Sequence, residues 1–187
     1  MNNNALIIIG SRWEFELIRN GKRVWQDGFD NLVTTAGLNK LLDATFLTGL
    51  ASPAWYVGLI DATPTFAAAD TSSAHAGWTE DTNYAAATRP AFTMGAIAAG
   101  SGSNTASKAS FTFNASATIA GAFLIDSSVK GGTSGTLYAE GAFSGGNQAV
   151  IAADIMNVTV TLTAQSGTVA TSSFMPIKEE VFGEYHP

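Results

Sequence analysis

A β-hairpin pattern near the N-terminus is the feature that most limits the folds open to this chain. Apolar residues alternate with polar or charged ones over residues 12–17, and residues 22–29 return with two aromatic residues on one face. Asn20-Gly21 lies between the two segments, and both of its residues tolerate the positive φ that a two-residue hairpin turn needs. The pattern predicts a hairpin over residues 12–29 with one apolar and one solvent-facing side.

The rest of the chain repeats this β character. Val158, Val160 and Leu162 alternate with threonines, which is typical of a half-buried antiparallel strand. Other short strands, among them one over Pro90–Ala98, are separated by glycine-rich turns. We therefore predict an all-β fold: an antiparallel β-sandwich or a jelly-roll-like domain.

One short α-helix is expected after the hairpin, at about residues 35–48. Its apolar residues recur at helical spacing and form a narrow stripe, which predicts packing against a sheet edge or face. The residues of this stripe are Leu38, Leu41, Leu42 and Phe46. Thr34 or Thr35 is suited to cap its start.

The predicted domain organisation is simple. We expect one domain over residues 1–173, with a long loop at 61–89 and a β-rich part at 90–173. The charged stretch 174–187, with its isolated aromatic residues, is expected to form a C-terminal arm.

Charge limits the partners that the chain could have. Charged residues make up 13% of the sequence and the net charge is −6, which argues against a nucleic-acid partner and an anionic membrane surface. A surface so poor in charge suits a protein whose faces are covered by copies or partners. No signal peptide or membrane-spanning segment is recognisable, so we expect a soluble protein made in the cytoplasm.

No residue pattern predicts catalysis, a cofactor or a metal. His75 has Asp70, Ser72 and Ser73 near it in sequence, but a catalytic triad needs a fixed geometry that proximity does not supply. The loop carboxylates at positions 61, 70, 80 and 81 give only a thin basis for a glycosidase. Cysteine is absent, which excludes thiolate chemistry. We expect no enzyme and no small-molecule ligand.

Partner-binding candidates lie mainly at the two ends. The apolar run containing Ile7 and Ile9 is either an ordinary first strand or a strand lent to a neighbouring sheet. Ile177, Phe182 and Tyr185 lie in the C-terminal arm, where the aromatic residues either fold back or anchor in another subunit. Trp78 either pins the long loop or stacks on a sugar ring.

Several segments, taken in order, resemble a loose pattern found in small virion proteins of tailed bacteriophages. The segments are residues 30–43, 55–59, 75–80, 88–90, 120–124, 137–144 and 157–163. Together they cover most of the chain from Asp30 to Ala164. No catalytic motif comes with this resemblance.

The resemblance implies a virion structural protein made in the host cytoplasm. One placement is a capsid cement or decoration protein on the outer capsid surface. Such a protein would bind the major capsid protein and copies of itself, as a homotrimer, and clamp neighbouring capsomers. The alternative is a tail, neck or fibre-attachment protein with a carbohydrate- or receptor-binding role.

Overall fold

The computed structural model describes residues 5–47, 53–61 and 64–168. Within these residues the chain forms thirteen strands, one α-helix and one π-helical turn. In chain order they are β1 (Ala5–Arg19), β2 (Lys22–Asp30), β3 (Leu32–Val33), α1 (Thr35–Leu42), the π-helical turn Asp43–Leu47, β4 (Trp55–Ile60), β5 (Glu80–Asp81), β6 (Ala91–Phe92), β7 (Ser101–Ser103), β8 (Ala109–Thr112), β9 (Ala117–Ile119), β10 (Gly121–Ile125), β11 (Leu137–Ala142), β12 (Gln148–Val150) and β13 (Ile155–Thr168).

Two antiparallel sheets make up the sandwich. The first has the order β2-β1-β13-β7, with β8 also pairing with β13. The second has the order β3-β11-β10-β4-β5, with β6 also pairing with β4, and β9 and β12 form a small separate pair. The predicted all-β sandwich, with one short helix after an N-terminal hairpin, is confirmed.

The hairpin forms as its alternation predicted. Asn20 and Gly21 have φ values of 51° and 73°, which are the left-handed values that a tight turn requires. Trp13, Phe15 and Leu17 are at most 2% exposed, because the apolar side of β1 faces the second sheet. They join one large core with side chains from both sheets, including Leu59, Phe111, Leu124 and Val158.

The helix also forms, but its packing differs from the prediction. Thr34 caps it by accepting a hydrogen bond from Gly37 N at 3.0 Å. Gly37 is the residue of α1 that packs inward, since a Cβ there would lie 2.4 Å from the carbonyl oxygen of Tyr138. The helix therefore touches the sheet along its smallest side. Leu42 and Phe46 of the expected apolar stripe are 55% and 77% exposed.

The 61–89 segment, as far as it is described, folds over the outer face of the second sheet. Trp78 is 6% exposed and joins a second apolar cluster with Ile60, Phe123 and Ile125. The strand predicted over Pro90–Ala98 is wrong beyond Ala91–Phe92. After it the chain pairs locally with Ser101–Ser103 through a turn at residues 98–101.

Candidate functional site

β1 and β13 extend beyond the rest of the first sheet as a two-stranded ribbon. They pair continuously from Ala5 opposite Thr168 to Ile18 opposite Ile155. β2 joins β1 only from Arg12 onward, and β7 joins β13 only over Thr161–Thr163. We use "the ribbon" for residues 5–11 of β1 and the facing residues 162–168 of β13, of which Leu162 and Thr163 also pair with β7.

The inner face of the ribbon continues the core face of β1. Side chains alternate along a strand, so Ile7 and Ile9 lie on the same side as the buried Trp13. Ile9 is partly buried, whereas Ile7 is 70% exposed. Side chains on the core face of β1 thus become progressively more exposed from Trp13 toward Ile7.

A groove of about 710 Å³ opens where the two sheets diverge. One wall is the ribbon, the other is the end of α1 with the π-helical turn, and the floor is aromatic. The lining is mainly apolar and includes Ile9, Leu41, Ala44, Trp55, Phe92, Met94, Ile97, Leu124, Tyr138, Leu162 and Ala164. Its floor is continuous with the main core.

Some of the exposed apolar side chains lie at this groove or next to its lining residues in the chain. Ile97 lines the groove and is 71% exposed. Phe46 and Leu47, which follow the lining residues Ala44 and Thr45 on the π-helical turn, are 77% and 82% exposed. Clustered exposure of apolar side chains is typical of interaction surfaces, whereas single exposed apolar residues are ordinary.

Of the six residues predicted to bind partners, the structure brings one, Ile9, into the lining of this groove. Ile7 lies on the same face of β1, two residues nearer the N-terminus, and does not line the groove. Trp78 lies elsewhere, on the outer face of the second sheet. Ile177, Phe182 and Tyr185 lie outside the described residues.

Sequence reasoning missed the helix side of the groove. The sequence predicts Phe46 in a packed stripe, whereas the inward packing of Gly37 leaves Leu38, Leu42 and Phe46 exposed and Leu41 partly buried in the groove lining. The small residues Ala36-Gly37 were the available signal, because a helix contacts closely along a side that lacks bulk.

A buried carboxyl group lies under the 61–89 segment. Glu140 on β11 is fully buried, and Asp70 beside it is 8% exposed. Burial raises the pKa of Glu140 to about 8, and its interactions with the Asp70 carboxylate add to the rise. Glu140 is therefore largely protonated at neutral pH.

Trp78 and His75 close this cluster from above. Their rings stack with centroids 3.6 Å apart, and Phe123 lies 5.1 Å from Trp78 on a tilted plane. The approach of the Trp78 indole N–H partly offsets the rise in the Glu140 pKa, although no hydrogen bond of ordinary geometry forms there. Trp78 is thus a packing residue, and its ring faces are occupied by neighbours.

The buried pair Arg89–Glu80 fixes the same segment. Arg89 donates two hydrogen bonds to Glu80, from Nε at 2.9 Å and Nη2 at 2.7 Å, and both side chains are at least nine-tenths buried. Its remaining donors reach the carbonyl oxygens of Ser127 and Gly132. The bonds from Arg89 to these two carbonyl oxygens tie the segment to the loop after β10.

The residues that came nearest to a triad in the sequence are engaged elsewhere. Ser72 Oγ lies 2.8 Å from the carbonyl oxygen of Thr133 and 2.7 Å from that of Gly135, so its proton is held by backbone. Desolvation lowers the pKa of His75, whose ring is stacked on Trp78. Activating a serine requires a hydrogen bond from its hydroxyl to the histidine, and Ser72 directs its proton to backbone instead.

Residues 5–47, 53–61 and 64–168 contain no group of three or more histidine or acidic side chains placed to hold a metal ion. Over the same ranges, no helix is long and apolar enough to cross a bilayer. No protein-family model matches the sequence, and no curated protein sequence matches it either.

Proposed function

We propose that this chain is a structural protein of a tailed-bacteriophage virion. Within that class, the capsid cement or decoration type fits best: a protein that clamps neighbouring capsomers on the outer capsid surface. The apolar groove beside the ribbon is the single observation that carries this proposal. The resemblance of the segments between Asp30 and Ala164 to small phage virion proteins supports it.

The groove is suited to hold an apolar segment of the major capsid protein. Its floor is continuous with the main core, and the lining residue Ile97 is 71% exposed and accessible to a partner. Aromatic and aliphatic anchors in a preformed cavity carry most of the affinity of a typical interface. Copies fixed at many lattice points would then add their individual contacts by multivalency.

The polar clusters support a structural role rather than a catalytic one. Glu140, Asp70 and Trp78 are buried under the 61–89 segment, and Arg89 and Glu80 satisfy each other. These groups hold a loop onto a sheet, which is useful in a protein that resists mechanical and thermal stress on a particle.

A charge placed in the groove lining tests the proposal. Ile97→Glu changes a groove-lining side chain that is 71% exposed, so folding should be unaffected, and retention on capsids should fall by about tenfold or more. Val24→Glu is the matched control, since Val24 is also exposed, at 51%, but lies on β2 near the hairpin turn. Binding to capsids lacking the protein would be measured by co-sedimentation before and after heating. Equal retention of both variants would exclude the groove as the capsid-binding site.

The placement on a tail, neck or fibre is the competing form of the proposal. Copy number in purified virions separates the two, because a cement protein approaches the abundance of the major capsid protein. A neck or tail protein is confined to one vertex. A sugar-binding role through Trp78 receives no support from the geometry, since His75 and Phe123 lie against the ring that a sugar would have to contact.

A further inference from the structure

The N-terminal part of β1 has a free edge. β2 pairs with β1 from Arg12 opposite Asp30 onward, and the last backbone bond on that side runs from Asn31 N to Ser11 O at 3.4 Å. Before Ser11, β1 pairs with β13 alone among the described residues. One side of the backbone of residues 5–11 is therefore left without a strand partner among residues 5–47, 53–61 and 64–168.

The direction of each backbone group on this edge follows from the observed bonds. Ser11 O points toward the β2 side, while the Gly10 carbonyl oxygen lies on the β13 side, 3.4 Å from Thr163 Oγ1. Backbone groups alternate in direction along a strand, so the N–H and C=O of Ile7 and Ile9 point outward from the free edge. These are the groups that an added strand would pair with.

Charge distinguishes this stretch of the sheet edge from the adjoining stretch, which is formed by β2. Residues 5–11 and 162–168 contain no charged side chain and no proline. By contrast, β2 carries Lys22, Arg23, Asp27 and Asp30. Exposed edges are normally protected by charges, proline or bulges, so the edge formed by β2 is protected and the edge of β1 is not.

We propose that residues 5–11 of β1 pair antiparallel with the same residues of a second copy of this chain. A second copy is the partner that this edge favours. Each chain carries a net charge of −6, but residues 5–11 are uncharged, so two copies can pair there without like charges at the contact. Antiparallel pairing of a strand with itself also closes on a two-fold axis, which yields a finite dimer. This inference concerns the chain alone and does not depend on the proposed virion role.

The apolar face fixes the register. Ile7 and Ile9 lie on the inner face, and that face stays continuous only if odd-numbered residues stand opposite odd-numbered ones. The longest such overlap of residues 5–11 places Ile7 opposite Ile9 of the second copy, and Ile8 opposite Ile8 on the axis. Since the outward-pointing backbone groups belong to Ile7 and Ile9, Ile8 forms the pair without hydrogen bonds, with Cα atoms about 4.5 Å apart.

The dimer would join the two inner faces into one surface. Ile7 is 70% exposed and Ile8 43% exposed in the single chain, and the second copy would bury both beside its own strand. The grooves of the two copies would then open on the same side of a continuous sheet. This arrangement is an alternative to the trimer that the family resemblance implies.

Cysteine crosslinking tests the register directly, because the chain has no cysteine of its own. Ile8→Cys places two thiols on the axis within the Cα separation that a disulfide requires. We expect most of the full-length variant to migrate as a covalent dimer on non-reducing gels after mild oxidation. Glu14→Cys is the matched control: it lies on the same face of the same strand, but there β2 occupies the edge.

Light scattering of the unmodified chain supplies the second measurement. We expect twice the mass of the 19.3 kDa chain. Ile7→Pro should halve that mass and leave the circular dichroism spectrum unchanged, since its N–H points outward and bonds to no strand of its own sheet. A monomeric or trimeric mass for the unmodified chain, or equal crosslinking of the Ile8→Cys and Glu14→Cys variants, would overturn the proposal.

Discussion

The buried carboxyl group of Glu140 should make the stability of this protein fall as pH rises from mildly acidic to mildly alkaline values. Its pKa is raised from 4.5 to about 8, first by desolvation and then by Asp70. The folded state therefore holds the Glu140 proton over a range in which the unfolded chain releases it. The stability gained by this proton is complete below pH 4.5 and is lost as pH rises through 8.

The size of the effect follows from the two pKa values. Stability should decrease by about 1.4 kcal/mol per pH unit between them, which sets an upper bound of about 5 kcal/mol over the whole range. About 1.4 kcal/mol of that loss falls between pH 7 and pH 9. This window also avoids His75, whose lowered pKa makes it destabilising only at acid pH.

Urea unfolding followed by tryptophan fluorescence, at several pH values between 7 and 9, measures this loss. Glu140→Gln is the control, because glutamine keeps the shape and a donor toward Asp70 but cannot ionise. We expect the free energy of unfolding of the variant to be flat across the window while that of the unmodified chain falls. Parallel curves for the two proteins would refute a protonated Glu140.

Two further predictions concern packing. Arg89→Met should lower the free energy of unfolding by about 3–5 kcal/mol, because it leaves Glu80 buried without its partner. Urea unfolding would measure this loss. Arg12→Met is the control and should have little effect, because its partner Asp30 is 82% exposed. Gly37→Ala should detach α1 from β11, because a Cβ there would lie 2.4 Å from the carbonyl oxygen of Tyr138. It should lower the melting temperature more than Gly21→Ala does. At Gly21 no atom lies within 4 Å of an added Cβ, and only the positive φ is strained.

The hairpin and the long last strand were predictable because their determinants are local. Alternation over residues 12–17 and the Asn20-Gly21 turn specify the pairing of β1 with β2 without reference to the rest of the chain. Residues 158–163 likewise form a half-buried strand, although β13 extends from Ile155 to Thr168. The extra length is set by pairing with β1, which the sequence of β13 alone does not encode.

The helix shows where local reasoning fails. Periodicity correctly placed a helix near residue 35, but it assumed that the apolar side is the packed side. In the structure the contact distance to Tyr138 selects Gly37 instead, Leu38 and Leu42 are exposed, and Leu41 is partly buried where it lines the groove. Sequence periodicity identifies an apolar face, whereas only the tertiary structure determines whether the chain itself covers that face.

Glu140 illustrates the opposite error. Its neighbours Ala139 and Gly141 are small, and nothing in the local sequence marks Glu140 as a buried residue. It is buried because the 61–89 segment covers the outer face of the second sheet, and nothing near position 140 signals that cover. A long loop containing tryptophan was the only indication, and it pointed to Trp78 rather than to the carboxyl beneath it.

The burial of Glu140 and the exposure around the groove have different physical origins. At Glu140 and Arg89 the chain buries unusual groups under its own 61–89 segment and the loop after β10. At the groove the apolar lining residue Ile97 stays 71% exposed, and Ile7 on the inner face of β1 is 70% exposed. Among the described residues, the edge of β2 is protected by charge and the edge formed by residues 5–11 is not, and the proposed pairing with a second copy would account for that difference.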